Sequence, residues 1–580
     1  MTTILMIVGT ALAVTQPATT RTGATQPAES QPAATESARN LEVGALTDTR
    51  RVLRDEPVPP SRQVDLAAAR NEWVGFQVLV RAGAPVAGIT VGMSDLSGPG
   101  GATIGADHIV LYRQHALQIT RPTHRNAQFR PGWYPDPLIP SRHPLTGGAL
   151  RDDAPLRAMP FDLPADQTHG FWIDLYVPPD AAPGEYRGVC RVSTAAGAAA
   201  ELAVRLEVWD FALDATPALR TALGSPASRL RDYDRKRAAA GKQAEPTDFA
   251  AVEEQCAELL ARHRINATPP PGSFQPVARG DGSFDVPEQR IEAFRAFVDR
   301  YHINAFQVPH PRSVVDDPIE QRDRLRAWLA AWDRAAAKLD RPQVLFYTYL
   351  RDEPNDEEAY RYVQRWGRAI REAGSVVKVL VVEQTWTQDE SWGDLYGAVD
   401  IWCPLFSLFR PENAAKRQAL GESIWTYTAL CQGKPTPWWH IDYPLLNYRV
   451  PCWIAWRYRI RGLLYWGGLS YWNQVDDPWT DPKTYCPGGP DGPIFNGEGT
   501  LAYPGRACGY DGIAPSLRLI ALRDGIEDYD YLAMLEREDK TAEAEAVVLP
   551  LAKSWFDWET RPEAYQTARR RLAELILEDR

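Results

Sequence analysis

The sequence predicts a multidomain chain of β and α/β architecture: an N-terminal β-sandwich, a (β/α)8 barrel of the TIM type and a small C-terminal helical extension. Its 580 residues exceed what one compact core usually holds, so more than one domain is expected. Short alternating apolar runs with turn residues between them fill residues 40–213. Strand-like and helix-like segments then alternate over residues 214–535, and residues 536–580 continue with helical spacing.

The first 39 residues are predicted to be a signal peptide followed by a disordered tether. Residues 1–13 contain a short apolar run that ends in Ala-Leu-Ala, similar to a signal peptide with its cleavage site, although no Lys or Arg precedes the run. Residues 14–39 are rich in Ala, Thr, Pro, Gln and Ser, a composition that does not form a packed core. We therefore expect a secreted or periplasmic protein. No later segment is apolar for long enough to span a membrane.

The sandwich is predicted from strands in which apolar and polar residues alternate. Residues 75–80 and 171–177 alternate in this way. A turn rich in Pro and Gly at residues 178–184 then leads to a further strand at residues 186–192, and another strand is expected at residues 202–209. Because no amphipathic helix pattern of useful length interrupts these strands, an all-β domain is expected.

The barrel is predicted because the spacing of apolar residues changes after residue 216, from alternation to helical spacing. Apolar residues recur at helical spacing in residues 249–260 and 291–301, and a short strand containing Ile-Asn-Ala follows each stretch. Eight strands are expected, at residues 219–224, 265–267, 303–308, 343–348, 376–382, 399–404, 423–429 and 462–466. Such alternation is typical of a (β/α)8 barrel, and in this count Asp352 and Glu353 end the fourth strand.

A long segment without periodicity, residues 467–506, follows the eighth predicted strand. Loops of this length in a compact domain are usually functional, so it is expected to lie over the catalytic face. A closing helix follows, with apolar residues recurring between Leu519 and Ala533. The charged stretch of this helix is expected to pair internally and to face solvent or the barrel wall; it comprises Arg523, Asp524, Glu527 and Asp528.

Composition excludes several classes of function. The net charge is −11 and no basic tract is present, so nucleic acid is not an expected partner. The seven cysteines show no CxxC spacing and no His at ligand spacing, so neither a metal site nor a cofactor is predicted, and the odd count leaves at least one thiol free. Many of the 20 Trp and 23 Tyr lie between Trp386 and Trp479, where such rings either fill a core or stack on sugars.

The strongest candidate site is a pair of adjacent carboxylates, Asp352 and Glu353. They follow the apolar strand at residues 343–348, and Pro354 ends that strand because proline cannot donate to a ladder. Carboxylates at the ends of barrel strands often form catalytic sites, and glycoside hydrolysis uses paired Asp and Glu. The structural alternative is that Asp352 caps the helix that begins near Asp356.

Further candidates are expected at the same rim of the barrel. Glu383, at the end of the fifth predicted strand, is a spare carboxylate. His440 and Asp442 follow the seventh predicted strand, where they either bind sugar hydroxyls or form a structural hydrogen-bonded pair. The full set of candidate substrate-binding residues is Tyr349, Glu383, Trp386, His440, Asp442, Trp466, Tyr471, Trp472 and Asn473.

Several stretches of the chain together carry a family resemblance. They are Asn-Glu-Trp-Val-Gly-Phe-Gln at residues 71–77, Arg-Asp-Glu-Pro at 351–354, Gly-Leu-Leu-Tyr-Trp at 462–466, Ser-Tyr-Trp at 470–472, Asn-Gly-Glu-Gly-Thr-Leu-Ala-Tyr-Pro-Gly at 496–505 and Leu-Arg-Asp-Gly-Ile-Glu-Asp-Tyr-Asp-Tyr-Leu at 522–532. This set resembles proteins that carry domain of unknown function 4091 and, through that domain, glycoside hydrolase family 123. The resemblance covers most of residues 41–540.

The resemblance implies a β-sandwich followed by a catalytic barrel with β-N-acetylgalactosaminidase activity. It also implies a substrate-assisted mechanism with retention, in which the 2-acetamido oxygen of the substrate attacks C1 and an oxazolinium intermediate forms. Carried to this sequence, Glu353 is the general acid/base, and Asp352 orients and stabilises the acetamido group. The expected partner is therefore a carbohydrate, either an oligosaccharide or a larger glycan.

Two other interpretations of the sequence stay open. A conventional retaining glycosidase would use Glu353 as acid/base and another carboxylate, Glu383, as nucleophile. A non-catalytic glycan-binding protein could also retain the barrel, although the intact pair of Asp352 and Glu353 argues against that interpretation.

Overall fold

The structure of the protein, a computed structural model, describes residues 40–47, 50–244, 246, 248–430, 435–472, 474–489 and 491–578. The predicted signal peptide and tether, residues 1–39, lie outside these ranges. Within the ranges described, no helix is both long enough and apolar enough to cross a membrane.

Two β-sheets form the N-terminal part of the chain. One sheet is antiparallel, in the order β1-β3-β10-β7-β8, and the other has the order β2-β12-β11-β4-β9, with β5 against β11 and β6 against β5. In the second sheet β2 runs parallel to β12. The strands are β1 (Glu42–Leu46), β2 (Gln63–Arg70), β3 (Glu72–Arg81), β4 (Val86–Met93), β5 (Leu96–Ser97), β6 (Thr103–Ile104), β7 (Ile109–Ile119), β8 (Gly132–Pro140), β9 (Phe161–Leu163), β10 (His169–Val177), β11 (Gly184–Thr194) and β12 (Gly197–Ala212).

Alternating side chains give these two sheets a common core. Phe171, Ile173 and Leu175 of β10 are buried in one cluster with Leu202 and Leu206 of β12, which belongs to the other sheet. Because successive residues of a strand point to opposite faces, the two-residue period of the sequence places one face of each sheet in the core. The prediction of a β-rich N-terminal part is confirmed.

The remaining elements form the C-terminal part. In chain order they are β13 (Arg220–Ala222), α1 (Pro226–Ala239), α2 (Phe249–Arg262), β14 (Val277–Ala278), β15 (Phe284–Asp285), α3 (Glu288–Tyr301), β16 (Ala305–Val308), α4 (Arg322–Leu339), β17 (Leu345–Asp352), α5 (Glu357–Glu372), β18 (Lys378–Val382), β19 (Ile401–Trp402), α6 (Pro411–Gln418), β20 (Ser423–Thr428), α7 (Leu446–Arg457), β21 (Gly462–Tyr465), β22 (Ala502–Pro504), β23 (Ile513–Pro515), α8 (Leu517–Arg537), α9 (Thr541–Val548), β24 (Ala552–Ser554), β25 (Asp557–Trp558) and α10 (Pro562–Leu577). Short 3₁₀ helices lie at Pro99–Gly101, Ala106–His108, Pro311–Ser313, Glu390–Trp392, Phe406–Leu408 and Gly505–Cys508.

The C-terminal part is built around a nearly closed barrel of parallel strands. Among the residues described there are seven, in the order β13-β21-β20-β19-β18-β17-β16. Tyr347, Trp425 and Leu464 help to fill the interior, whereas Phe346 and Leu463 pack in the outer layer with the helices. Strands buried on both faces are apolar on both faces, which is why the sequence shows them as short continuous apolar runs.

In the described part of the chain the barrel has one strand fewer than the eight predicted. Residues 265–267 form no strand, and the side chain of Asn266 bonds to the elements on either side. Asn266 Nδ2 donates to Thr221 O at 3.0 Å and to Asn304 Oδ1 at 2.7 Å, and Asn304 N donates to Asn266 Oδ1 at 3.0 Å. These side-chain bonds replace a main-chain ladder. Asp352 therefore ends the third strand of the sheet in chain order, not the fourth.

Helix α8 joins the two parts of the molecule. It packs against α7, α10, β3 and β8, and nearly all of its residues are buried. Arg523 makes two 2.8 Å bonds to Asp174 of β10, and Arg518 lies 2.9 Å from Asp136 of β8. The partners of these charges come from both parts of the molecule: Arg523 pairs with Asp174 of the β-rich part, whereas Asp528 pairs with Arg449 of α7. The prediction that the charged stretch faces solvent is wrong for the buried Arg523, Glu527 and Asp528, and Asp528 lies against the barrel part as the alternative in that prediction had it. Burial raises the pKa of Glu527 to about 8.

Candidate active site

The acid pair lies at the carboxyl-terminal end of β17, whose last residue is Asp352. Asp352 and Glu353 are both exposed. The following helix, α5, is capped by a different residue, Asp356, which accepts a hydrogen bond from Ala359 N at 2.8 Å. Asp356, and not Asp352, therefore caps this helix, so the structural alternative for Asp352 is wrong.

A β-bulge turns Asp352 toward the barrel interior. In the pairing of β17 with β18, Tyr349 lies opposite Leu380 and Asp352 lies opposite Val382, so β17 carries one extra residue between them. Leu380 and Val382 both belong to the interior cluster. Without the bulge, strict alternation would place Asp352 on the same face as Leu350, which packs in the outer layer.

Glu353 then reverses the backbone. Its φ of 36° lies in the left-handed region, where a residue other than glycine is strained and is kept only by its surroundings. As a result two consecutive side chains face the same space, whereas a regular strand sends neighbours to opposite faces. Asp352 Oδ1 accepts a hydrogen bond from Tyr349 Oη at 2.7 Å, and Glu353 Oε1 accepts one from Tyr427 Oη.

Both tyrosines are neutral hydrogen-bond donors. Burial raises the pKa of Tyr349, and the neighbouring Asp352 raises it further. Burial likewise raises the pKa of Tyr427 on β20, with Glu353 adding to the rise. Each hydroxyl therefore keeps its proton and donates the hydrogen bond that orients the neighbouring carboxyl group.

Glu383 directly follows β18 and is buried beside the acid pair, with 4 % of its surface exposed. Gln388 Nε2 lies 3.0 Å from each of its two oxygens, and Tyr360 Oη lies 3.3 Å from Oε1. Burial raises the pKa of Glu383 to about 8, and Glu353 adds a smaller contribution. At neutral pH this carboxyl is therefore largely protonated.

Aromatic rings line two sides of the barrel mouth. Trp386, in the loop after β18, is half-buried beneath Arg410, whose guanidinium carbon lies 3.7 Å from the ring centre. Trp466, directly after β21, is 37 % exposed, and its ring centre lies 4.9 Å from that of Tyr471 and 5.4 Å from that of Tyr485. Exposed rings of this kind suit stacking on the apolar face of a sugar.

A buried carboxylate, Glu498, holds Trp466 in place. Glu498 accepts a hydrogen bond from Trp466 Nε1, and its Oε2 lies 2.8 Å from His440 Nε2. Glu498 and His440 are each only 1 % exposed. The structure therefore places His440 behind the aromatic wall of the mouth.

Three other candidates have different locations. Asp442 accepts hydrogen bonds from Thr123 N at 2.8 Å and from Thr123 Oγ1 at 2.5 Å, and so ties a loop of the β-rich part to the barrel. Trp472 is 2 % exposed, and its Nε1 donates to Ala502 O at 3.1 Å, as a core residue does. Asn473 lies outside the residues described.

Three residues of this site were not among the predicted candidates: Tyr427, Gln388 and Glu498. Tyr427 lies in an apolar strand, where the pattern equally indicates a core residue. Gln388 belongs to no motif. Glu498 lies in the stretch at residues 496–505 that carries part of the family resemblance, and that stretch was the one signal that could have found it.

No group of three or more His, Cys, Asp or Glu side chains in the described part of the chain could hold a metal ion. The cysteines of that part are free thiols, and all but Cys486 are buried. What the mouth presents to a ligand is a pair of carboxylates, two tyrosine hydroxyls and exposed aromatic faces.

Comparison with known proteins identifies both parts of the chain. A family model described as "Glycoside hydrolase 123, catalytic domain" matches residues 339–535, and one described as "Glycoside hydrolase 123 N-terminal domain" matches residues 47–194. Together the two ranges span more than half of the 580 residues. A search of curated proteins finds no match.

Among solved structures, a family 123 glycoside hydrolase from Clostridium perfringens is similar over nearly the whole chain. Its TM-score is 0.61 and its sequence identity 12 %, and the alignment covers 93 % of this chain and 97 % of that one. At this identity the likeness shows the fold. A glycosyl hydrolase family 2 member from Bacteroides cellulosilyticus has a TM-score of 0.22 at 11 % identity, with 73 % and 44 % of the two chains covered.

Proposed function

The chain belongs to glycoside hydrolase family 123, and we propose that it cleaves β-linked N-acetylhexosamine glycosides, with N-acetylgalactosamine as the expected sugar. The proposed reaction retains the configuration at C1 and uses the 2-acetamido group of the substrate as its nucleophile. Glu353 is the general acid/base, and Asp352 stabilises the acetamido group.

One observation carries this proposal: Asp352 and Glu353 are consecutive, and both face the barrel interior. In a conventional retaining enzyme the acid/base and the nucleophile flank the scissile bond, with the two carboxyl groups about 5–5.5 Å apart. Two side chains from one strand end approach a sugar from the same side. That arrangement suits a proton donor that lies next to the carboxylate holding the acetamido group.

Glu383 supports the same choice, because it is a poor candidate for a protein nucleophile. A nucleophilic carboxylate must be ionised and accessible to C1. Burial keeps Glu383 protonated at neutral pH, and Gln388 lies against both of its oxygens. The nucleophile is therefore assigned to the substrate.

In the first step of the proposed reaction, Glu353 donates a proton to the leaving-group oxygen as the bond from that oxygen to C1 breaks. The acetamido oxygen attacks C1, and Asp352 stabilises the positive charge that develops in the resulting oxazolinium ring. In the second step the ionised Glu353 takes a proton from water, and the hydroxyl attacks C1. The ring opens, the acetamido group is restored and Glu353 is protonated again.

The substrate class and the location of the enzyme belong to the same proposal. The relative from Clostridium perfringens is described by its part in glycolipid glycan hydrolysis. We propose a glycan that ends in a β-linked amino sugar as the substrate of this chain. The apolar run in residues 1–13, which is similar to a signal peptide, supports a secreted or periplasmic enzyme.

A panel of aryl glycosides tests the proposal. The enzyme should hydrolyse 2-acetamido sugars and leave the matched 2-hydroxy sugars intact, and a thiazoline analogue of the oxazolinium should inhibit far more tightly than the product sugar. Asp352→Asn should lower kcat by about 10²–10³-fold, because a neutral amide stabilises the positive charge less well. Equal rates on 2-hydroxy and 2-acetamido glycosides, with no inhibition by the thiazoline, would refute substrate assistance. No hydrolysis of any glycoside would refute the proposed activity.

A further inference from the structure

A half-buried amide close to the acid pair, that of Gln388, has no part in the reaction described so far. Gln388 Nε2 lies 3.0 Å from Oε1 and from Oε2 of Glu383, 3.1 Å from Pro354 O and 3.1 Å from Asn355 Oδ1. A primary amide has two N–H groups, so four acceptors share two hydrogens. This one nitrogen links the end of β18 to the two residues that follow Glu353.

The backbone at this point needs support. The left-handed conformation of Glu353 is strained for a residue other than glycine, and such strain is kept only where the neighbouring structure imposes it. Pro354 has no N–H, so its carbonyl is the group through which its backbone can be fixed. Gln388 donates to that carbonyl.

Tyr360 completes the arrangement from the helical side. Its hydroxyl lies 3.3 Å from Glu383 Oε1, and Gln388 N donates to the same hydroxyl at 3.3 Å. The loop that carries Gln388 is thus tied to α5 by its backbone and to Glu383 by its side chain, and its amide is held in a fixed place.

We propose that Gln388, held by Glu383 and Tyr360, is a positioning residue that clamps Pro354 and Asn355 and thereby keeps the Glu353 carboxyl aimed at the leaving group. This inference rests on the proposed function, in which Glu353 moves the proton. Gln388 itself touches no substrate atom; it acts through the turn.

The protonation of Glu383 sets how the two amide hydrogens are shared. As a neutral acid it accepts through one oxygen, which leaves the second N–H of Gln388 for Pro354 O. An ionised Glu383 attracts both N–H groups, so the clamp on the turn loosens as the pH rises through about 8. The titratable groups that face Glu383 are Glu353 and Tyr360, and burial raises the pKa of Tyr360, which stays neutral over this range.

The first test compares Gln388→Ala with Gln364→Ala. Gln364, on α5, also holds two main-chain carbonyls, Trp392 O at 3.1 Å and Asp394 O at 2.9 Å; these belong to the loop that carries Gln388, whereas Gln388 holds the turn at Pro354 and Asn355. Gln388→Ala should lower kcat by about 10²-fold, since a displacement of about 1 Å at a catalytic group has that effect, with KM changed only a few-fold. Gln364→Ala should retain kcat. Equal kcat values for the two variants would overturn the proposal.

A second variant, Glu383→Gln, tests the role of the neutral acid. An amide mimics the protonated carboxyl and does not ionise, so the kcat of this variant should decline less than that of the wild type as the pH rises through about 8. Loss of kcat at every pH would show that the charge of Glu383 is needed and would overturn the proposal.

A crystal structure of Gln388→Ala gives a readout that does not depend on activity. The backbone at Glu353 should leave the left-handed region, whereas an unchanged φ would overturn the proposal. If the wild type hydrolysed no 2-acetamido glycoside, the proposed function would fail while this structural result stood. If the wild type were active and both the φ and kcat were retained in Gln388→Ala, only the clamp would be wrong.

Discussion

The acid pair at the barrel mouth and the acidic residues of α8 face opposite surroundings. Asp352 and Glu353 are exposed, and each accepts a hydrogen bond from a tyrosine hydroxyl. Asp528 of α8 is fully buried, and Arg449 binds both of its oxygens, at 2.6 and 2.9 Å. Both groups stand out in the sequence as dense acidic stretches.

The difference shows that the partner, rather than the density of charge, separates a structural carboxylate from one available to a ligand. A buried carboxylate must be matched by a cation and by hydrogen bonds, and once matched it has no capacity left for a substrate. A carboxyl group held by a single tyrosine hydroxyl keeps at least one oxygen free for a ligand. A substitution in the acid pair at the mouth should therefore lower turnover. A substitution in the buried ion pairs of α8 should instead lower the free energy of unfolding.

The largest effect is expected from Glu353→Gln, which removes the proposed proton donor. Turnover of alkyl glycosides should fall by roughly 10²–10⁴-fold, the usual contribution of general acid catalysis. The loss should be smaller for an aryl leaving group, which needs no proton, and the thermal unfolding midpoint should not change because the side chain is exposed. An equal loss of kcat/KM on both substrate types would remove Glu353 from proton donation.

The next effect concerns the junction, where Arg523→Met leaves Asp174 buried and unpaired. The free energy of unfolding, measured in urea, should fall by about 3–5 kcal/mol, while the folded molecules keep their turnover. Adding Asp174→Asn should restore part of the loss, because a neutral amide costs less to bury.

The matched control for Arg523→Met is Arg361→Met, which breaks the exposed pair with Glu357 on α5. Exposed pairs contribute about 0–1 kcal/mol, so this variant should change the free energy of unfolding little. If Arg523→Met lowered the free energy of unfolding as little as Arg361→Met does, the pair of Arg523 with Asp174 would not stabilise the junction.

The last effect is a pH dependence of stability. Burial raises the pKa of Glu527 in the folded state to about 8, above its ordinary value of 4.5, so between these values the folded protein holds a proton that the unfolded chain has released. The stabilisation is complete below the ordinary pKa and is lost as the pH rises through about 8, at up to about 1.4 kcal/mol per pH unit. Glu527→Gln should remove this loss in urea titrations between about pH 4.5 and pH 8.

Glu536, on the same helix, supplies a control of opposite sign. Its hydrogen bond with Arg461 lowers its pKa below the ordinary value. The stabilisation from Glu536 is therefore present above that ordinary value and is lost as the pH falls. Glu536→Gln should flatten the stability profile below about pH 4.5 and leave the decline between about pH 4.5 and pH 8 as in the wild type; the reverse pattern would contradict the assignment of both groups.

Most of the fold followed from periodicity, and the error in the number of barrel strands shows what periodicity lacks. The Ile-Asn-Ala stretch occurs at residues 265–267 and again at residues 303–305, with the same apolar pattern. Only the second occurrence leads into a strand, β16, because in the first the side chain of Asn266 takes the hydrogen bonds that a ladder would use. Whether the main chain forms a ladder there or the Asn266 side chain takes its hydrogen bonds depends on neighbours that are distant in the sequence.

The acid pair itself could be predicted, because an apolar strand, two carboxylates and a proline are all local features. Its geometry could not. The bulge at Leu350 depends on the register with β18, and the left-handed conformation of Glu353 depends on contacts such as that from Gln388 to Pro354. The burial of α8 was missed for the same reason, since Arg523 and its partner Asp174 lie 349 residues apart.

The position of α8 near the end of the chain has a consequence for biosynthesis. Arg518 and Arg523 follow their partners, Asp136 and Asp174, by 382 and 349 residues. At roughly 5–20 residues per second, the N-terminal sheets leave the ribosome on the order of 20–70 s before the helix that completes their surface. An apolar surface left open for that long would favour aggregation, whereas carboxylates stay hydrated until their arginines have been synthesised.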